Sequence, residues 1–315
     1  MTGGCSSKLW CCPIVSNLLL EKLVELKRVV GNTPVLRLRN LFSDVEVYMK
    51  LEFMNPTGSH KDRIAVFMIE DAIRKGLLGP GGTVIEASSG NTAISVAWVA
   101  ARLGLRAVIV VEEQVSRQKV GMLKSLGAEI VYAKQGENVK LASELSEKLS
   151  GVWLNQYDNL ANHMAHYTTT GPEILRQLGE VDLFVMGMGT CGTITGVGRF
   201  LKEKLGNRVK VVGVVPRGSA IKGGPGRGDR IEGLITSFVP GLCREFDEYV
   251  DEIVEVSYDE ALKAVKELAK KEGILAGLSS GANIVGVRKA LELFKARKVV
   301  TIAADSMLRY PELLS

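Results

Sequence analysis

The sequence predicts an α/β protein of two lobes, each a mostly parallel twisted sheet flanked by helices, and three observations lead there. Short apolar, β-branched runs alternate with stretches of helical periodicity through the first half of the chain. The alternation restarts after Gln156. The chain has 315 residues, 46% hydrophobic and 24% charged, an ordinary globular composition at a length that suggests two cores rather than one.

In order along the chain, residues 35–38 and 45–53 read as strands, and Asn55-Pro56-Thr57-Gly58-Ser59 as a turn. Over 61–75 apolar residues recur at Ile64, Phe67, Met68 and Ala72, a helical spacing, with Ser59 as a candidate cap and Gly76 as a stop. After the turn Gly79-Pro80-Gly81-Gly82 come a strand at 83–87, the loop Ser88-Ser89-Gly90-Asn91 and a helix ending near Gly104. A strand at 106–111, a helix to about Gly127 and a strand at 129–133 follow. This βαβαβ order implies a parallel sheet covered by helices. In the second lobe a strand at 182–186 leads through a glycine-rich loop into a helix ending near Leu205, then a strand at 209–215. Helices at 259–271 and 281–296 and a strand at 298–303 complete it. The Gly- and Arg-rich segment 217–230 has no periodicity and is too long for a simple connection, so it reads as a mobile or functional loop. The expected division is a smaller domain at 1–158 and a larger one at 159–315.

A formal net charge of +5, spread over 40 basic and 35 acidic residues, does not make the long-range field of a nucleic-acid binder. No apolar run approaches the ~20 residues of a membrane span. The stretch 13–20 is too short, and too soon followed by Glu21, for a secretory signal, so a cytoplasmic protein is expected. Five cysteines without paired spacing argue against a disulfide framework. Cys5, Cys11 and Cys12 crowd the N-terminus, and Cys11-Cys12 reads as incidental thiols or as a metal or redox site. Cys191 and Cys243 stand alone.

Ligands of open α/β sheets bind beyond the C-terminal ends of the strands, so the loops there are the place to search. Gly187-Met188-Gly189-Thr190-Cys191-Gly192-Thr193 runs from a strand into a helix, where backbone N–H groups and the helix dipole suit an anion such as phosphate; a tight turn is the plainer reading. It is not a dinucleotide fingerprint, since the acidic residue ~20 positions on is missing. Ser88-Ser89-Gly90-Asn91-Thr92 gathers hydroxyls, an amide and a helix start, a receptor for a carboxylate or an ordinary capped helix. Lys61 sits at a helix N-terminus that already carries partial positive charge, a conflict that a Schiff base would remove; a solvated lysine is the plainer reading.

Taken together, six ordered segments resemble the motifs of the cysteine synthase and cystathionine β-synthase family. They are Gly31-Asn32-Thr33-Pro34, Asn55 through Arg63, Ser89-Gly90-Asn91-Thr92, Thr169-Thr170-Gly171-Pro172-Glu173-Ile174, Gly189 through Thr193, and Gly273 through Gly281. The resemblance covers about Gly31 to Tyr310. It implies a fold-type II pyridoxal-phosphate enzyme, like the tryptophan synthase β-chain, with the segment 33–54 crossing to the larger domain. It also implies a homodimer, to which the apolar 18–30 segment would contribute.

The resemblance makes Lys61 the lysine that forms the Schiff base with pyridoxal 5'-phosphate and later moves the α-proton. Asn91 would hydrogen-bond the cofactor's phenolic oxygen. Gly189, Thr190, Cys191, Gly192 and Thr193 would cradle its phosphate, and Ser279 would face its ring nitrogen. Ser88, Ser89, Asn91 and Thr92 would take the substrate carboxylate, with Gln156 closing over it. A serine opposite the ring nitrogen need not hold it protonated, which favours expulsion of a β-leaving group over chemistry that needs a long-lived carbanion. The implied reaction is β-replacement through an aminoacrylate, making cysteine from O-acetylserine or O-phosphoserine and sulfide. A thiol acceptor, dehydration, or a non-catalytic relative that binds an amino acid or a partner protein are the alternatives.

The sequence departs from the family pattern at three places. Cys191 replaces a usual glycine, and its side chain must point away from the anion or crowd it. His60 stands where an apolar residue is common, and either contacts cofactor or leaving group or is an exposed histidine. Gly233-Leu234-Ile235-Thr236-Ser237 replaces a glycine-rich stretch near the substrate, and Arg217, Lys222, Arg227 and Arg230 lead into it, a pattern that suits a phosphate leaving group.

Overall fold

The computed structural model describes residues 13–234 and 237–310. Cys5, Cys11, Cys12, Ile235 and Thr236 lie outside the described residues. The chain forms two compact units: one of residues up to Val29 with Ala65–Asn155, the other of Val30–Ile64 with Gln156–Ser315.

The first unit holds α1 (Pro13–Val29) and the body of α2 (Lys61–Arg74), then β3 (Thr83–Ala87), α3 (Asn91–Leu103) and β4 (Arg106–Glu112). α4 (Arg117–Ser125), β5 (Glu129–Ala133), α5 (Asn138–Lys148) and the short β6 (Val152–Trp153) complete it. Its four strands are all parallel, in the order β5-β4-β3-β6. β4 is buried from Ala107 to Val111 with no polar alternation, as a strand covered on both faces must be. Ile85, Ala87, Val108 and Val110 meet Ala133 and Ala142 in its core.

The second unit is a six-stranded sheet built from β1 (Val35–Arg37), β2 (Glu46–Leu51), β7 (Leu183–Gly187), β8 (Lys210–Pro216), β9 (Glu252–Val256) and β10 (Lys298–Ala303), in the order β1-β2-β10-β7-β8-β9. Only the β1 to β2 pairing is antiparallel. The helices are α6 (Leu160–Ala165), α7 (Gly171–Leu178), α8 (Gly192–Leu205), α9 (Gly241–Glu245), α10 (Tyr258–Glu272) and α11 (Leu278–Leu293). Alternate residues of each strand feed opposite faces. Leu183, Val185, Val212 and Val214 pack with residues of α10 and α11. Phe184, Met186, Val211 and Val215 pack with Ile194, Val197 and Leu201 of α8. Both faces of the sheet are thus covered, which brings the C-terminal ends of its strands forward as the open edge.

The sequence reading ends α11 three residues late and passes over α5, β6, β9 and the helical stretch 160–178. A π-helical turn, His166–Thr170, interrupts that stretch and breaks its apolar period.

Candidate active site

Lys61 opens α2, and its turn is tied on two sides within the second unit. Ser59 Oγ accepts the Lys61 N–H at 3.3 Å, and Ser59 forms an antiparallel bridge with Asp305. His60 donates its N–H to Ala304 O at 2.9 Å. From Asp305 the contacts run on to α11, because the Gly277 N–H donates to Asp305 O at 3.0 Å, two residues before Ser279.

His60 is buried, not exposed; its Nδ1 lies 3.2 Å from the Ala304 carbonyl, an acceptor only, so Nδ1 carries the proton. Burial, together with the adjacent Lys61 ammonium, pushes its pKa down to about 3. Its ring is 5.9 Å from that of His166. His166 is pushed well below the ordinary histidine range, first by burial and then by His60, and bridges Thr170 Oγ1 at 3.0 Å and Thr193 Oγ1 at 3.1 Å.

The frame behind this turn is a buried charge network. Arg63 forks onto Glu52 (Nε to Oε2 2.7 Å, Nη2 to Oε1 2.8 Å) and onto Glu173 (Nη1 to Oε1 2.8 Å, Nη2 to Oε2 2.7 Å). Lys50 Nζ reaches Glu173 Oε2 at 2.8 Å and donates to Thr33 O. Burial opposes ionisation of both glutamates, but Arg63 and Lys50 outweigh it and hold both carboxyls below their usual range. Two cations against two anions make the network neutral. Thr33 Oγ1 donates to Glu52, Asn55 Oδ1 accepts the Gly31 N–H, and Gly31 sits at φ +87° where any Cβ would press on Arg63 and Glu173. Much of what makes the 31–34, 55–63 and 169–174 motifs distinctive is therefore scaffolding for the Lys61 turn.

The glycine-rich loop leaves β7 and enters α8. A Cβ at Gly189 would run into the Gly233 carbonyl, and one at Gly192 into the Asn162 amide. Thr190 Oγ1 accepts from Asn162 Nδ2 at 3.1 Å, and the same Nδ2 donates to Gln156 O at 2.7 Å, so Asn162 joins Gln156 to the loop. Cys191, at φ +67°, caps α8 through its backbone, and its side chain turns into the apolar cluster under α8, where its sulfur is bonded to that of Cys243. The two cysteines that stand alone in the sequence are thus partners, and the Cys191 side chain does not crowd the loop. Ser279 lies in the first turn of α11, buried. Asn162 and His166 are neighbours of the candidate site that the sequence reading missed; neither belongs to a periodic pattern.

In the first unit, Ser88 and Ser89 lie in the connection from β3 to α3, and Asn91 and Thr92 are the first two residues of α3. Ser88 Oγ accepts the Gly90 N–H and Ser89 Oγ the Glu112 N–H, which orients both hydroxyls. The N-cap of α3 is Gly90, with no side-chain cap bond.

The segment 217–230 folds back on itself, with Asp229 N–H donating to Arg217 O and Gly226 N–H to Gly218 O. Arg217 faces Asp229 at 3.9 Å and Lys222 Nζ donates to Ile253 O; these two residues, like Arg227 and Arg230, are exposed. Leu234 is a core residue packed against Gly187.

An open parallel sheet, a glycine-walled loop aimed at a helix N-terminus and a lysine on the turn beside it define a class: α/β enzymes that hold a phosphorylated cofactor. Residues 26–305 match the pyridoxal-phosphate dependent enzyme family, and the chain belongs to it. It is similar to the cysteine synthase of Staphylococcus aureus (strain Mu50), 41% identical over 93% of this chain and 97% of that protein. It is also similar to the O-acetylserine dependent cystathionine beta-synthase of Bacillus subtilis (strain 168), 38% identical over 91% and 96%. The crystal structure of O-ureido-L-serine synthase superposes with a TM-score of 0.84 at 35% identity, covering 90% of this chain and 92% of that one. The fold is that of fold-type II pyridoxal-phosphate enzymes, and the cofactor is pyridoxal 5'-phosphate. The residues present fit it: the 189–193 backbone has no room for further side chains, and it stands at the N-terminus of the 14-residue helix α8, where a phosphate is favoured.

Proposed function

We propose that this enzyme catalyses β-replacement, forming L-cysteine from an activated serine, O-acetylserine or O-phosphoserine, and sulfide. The observation that carries this reading is the convergence on the Lys61 turn. On one side His60 leads through His166 to Thr193 of the glycine loop, and on the other Ser59 leads through Asp305 to the turn that bears Ser279.

In this reading Gly189 to Thr193 hold the cofactor phosphate, Lys61 attaches the cofactor to the chain, Asn91 orients it and Ser279 faces its ring nitrogen. When bound, the cofactor supplies the electron-withdrawing ring that makes the substrate α-proton removable. Lys61 Nζ, released when substrate binds, takes that proton as general base, a role worth ~10²–10⁴ in rate, and returns a proton when product leaves. Ser88, Ser89, Asn91 and Thr92 bind the substrate carboxylate with the α3 dipole behind them, and Gln156 joins them. A thiol in place of sulfide is the second reading, supported by the relative from Bacillus subtilis that is an O-acetylserine dependent cystathionine beta-synthase. Leu18, Val24 and Val29, more than half exposed along α1, support assembly as a homodimer, which light scattering tests.

The deciding experiment is borohydride reduction of the cofactor-loaded protein followed by peptide mass spectrometry, alongside a cysteine assay with each donor and sulfide. A pyridoxyl group on Lys61 and cysteine formed with one donor are the expected results. A pyridoxyl group elsewhere, or no cysteine from either donor, would overturn the assignment.

A further inference from the structure

The Cys191 side chain turns out of the proposed phosphate cradle into a buried bond with Cys243. The Cα atoms are 5.3 Å apart across 52 residues of sequence, a separation suited to a disulfide. Cys191 also holds a left-handed backbone conformation that an L-residue with a Cβ rarely adopts unless its surroundings hold it there. Its carbonyl accepts from Thr195 N and Thr195 Oγ1, so the conformation of this one residue sets where α8 begins and where the cradle N–H groups point. Cys243 lies on α9, which is itself anchored: Gly241 N–H donates to Asp158 Oδ1 at 2.9 Å and Leu242 N–H to Tyr157 O at 3.2 Å. The bridge therefore ties the cradle to the stretch that follows Gln156, a second tie beside the one through Asn162.

We propose that the Cys191–Cys243 bond is a redox-controlled clasp on the cofactor's phosphate cradle: closed, it holds the cradle in its binding conformation; opened, it lets Cys191 leave the left-handed region and weakens cofactor binding. The proposal rests on the assignment of Gly189 to Thr193 to the phosphate. Closure is thiol–disulfide exchange with a small disulfide R–S–S–R. The thiolate of Cys243, the more exposed of the two, attacks one sulfur and expels R–S⁻. The thiolate of Cys191 then attacks the mixed disulfide at the Cys243 sulfur and expels the second R–S⁻. Two electrons pass to the small disulfide and both protons end on R–SH; a dithiol reverses the sequence.

The test uses the full chain stripped of cofactor and equilibrated with oxidised glutathione or with dithiothreitol. Peptide mapping after alkylation reads the bond, and titration with pyridoxal 5'-phosphate reads the affinity. The expected result is a linked Cys191–Cys243 peptide in the oxidised sample and cofactor affinity about tenfold weaker in the reduced one, as when the competent conformer falls to about a tenth of the population. Cys243→Ser and Cys243→Ala, each checked for folding by circular dichroism, should bind like the reduced protein under both conditions. No linked peptide, or equal affinities with the bond formed, overturns the clasp while leaving the cradle assignment standing. No cofactor binding in either state overturns the cradle assignment, and the clasp with it.

Discussion

Arg63 and Glu173 face each other through two parallel hydrogen bonds, Nη1 to Oε1 at 2.8 Å and Nη2 to Oε2 at 2.7 Å, with both side chains buried. Arg63 is two residues from Lys61, and Glu173 belongs to α7, so this pair fixes the start of α2 to the helix that follows the π-turn. An ammonium cannot reproduce the fork. Arg63→Ala should cost about 3–5 kcal/mol of stability by leaving buried carboxylates uncompensated. Arg63→Lys should cost less but still lower the denaturation midpoint, as chemical denaturation followed by circular dichroism will read.

The buried histidines make stability depend on pH, His60 together with His163 and His166, all held below the ordinary range first by burial; His60 is the one beside Lys61. The His60 pKa is about 3 when folded and near 6.5 otherwise, so between those values the unfolded chain binds a proton there that the folded chain refuses. The stability is fully present above pH 6.5 and is lost as pH falls toward 3. Denaturation midpoints should therefore begin to drop below pH 6.5, above the glutamate range. His60→Asn, whose amide still donates to the Ala304 carbonyl, should remove roughly 2–3 kcal/mol of the loss between pH 6.5 and 4.5. An unchanged slope in that variant would mean that His60 is not the group responsible.

Gly192 has no space for a methyl group, because a Cβ there collides with the Asn162 amide. Gly192→Ala should raise the dissociation constant for pyridoxal 5'-phosphate by tenfold or more, at an overpacking cost of about 1–3 kcal/mol. Absorbance titration of the folded variant checks the first and thermal denaturation of the cofactor-free protein the second.

Donor choice can be tested at Arg227 and Arg230, two exposed cations of the segment that leads to Gly233. If the donor is O-phosphoserine, the double alanine variant should raise its KM about tenfold, the loss of a charge-assisted pair, and leave O-acetylserine kinetics alone. Equal KM values for O-phosphoserine in both proteins would remove these arginines as its recognition site.

Local patterning made most of the strands and helices legible: β3, β5 and β10 begin and end where their β-branched runs do, and α2 follows its apolar period until one residue before the end. The same patterning could not reveal β9 or the 160–178 helices, where charged residues and a π-turn mask the period. The candidate site divides similarly. Lys61, the 187–193 loop, the 88–92 loop and Ser279 follow strands or open helices, positions where exposed backbone groups and glycines leave a mark in the sequence.

Other features were decided by tertiary structure alone. Asn162 joins Gln156 to Thr190, His166 bonds Thr193, and His60 is buried and neutral rather than exposed. Cys191 and Cys243 become partners across 52 residues. The reason is physical: periodicity and turn chemistry are written over a few neighbouring residues, whereas a buried hydrogen bond, a shifted pKa or a sulfur pair depends on which distant segments packing brings within a few ångströms. What the sequence determined by itself was the order of strands and helices and the residue types at the open edge of the sheet. Which of those side chains touch, and in what charge state, was left to the fold.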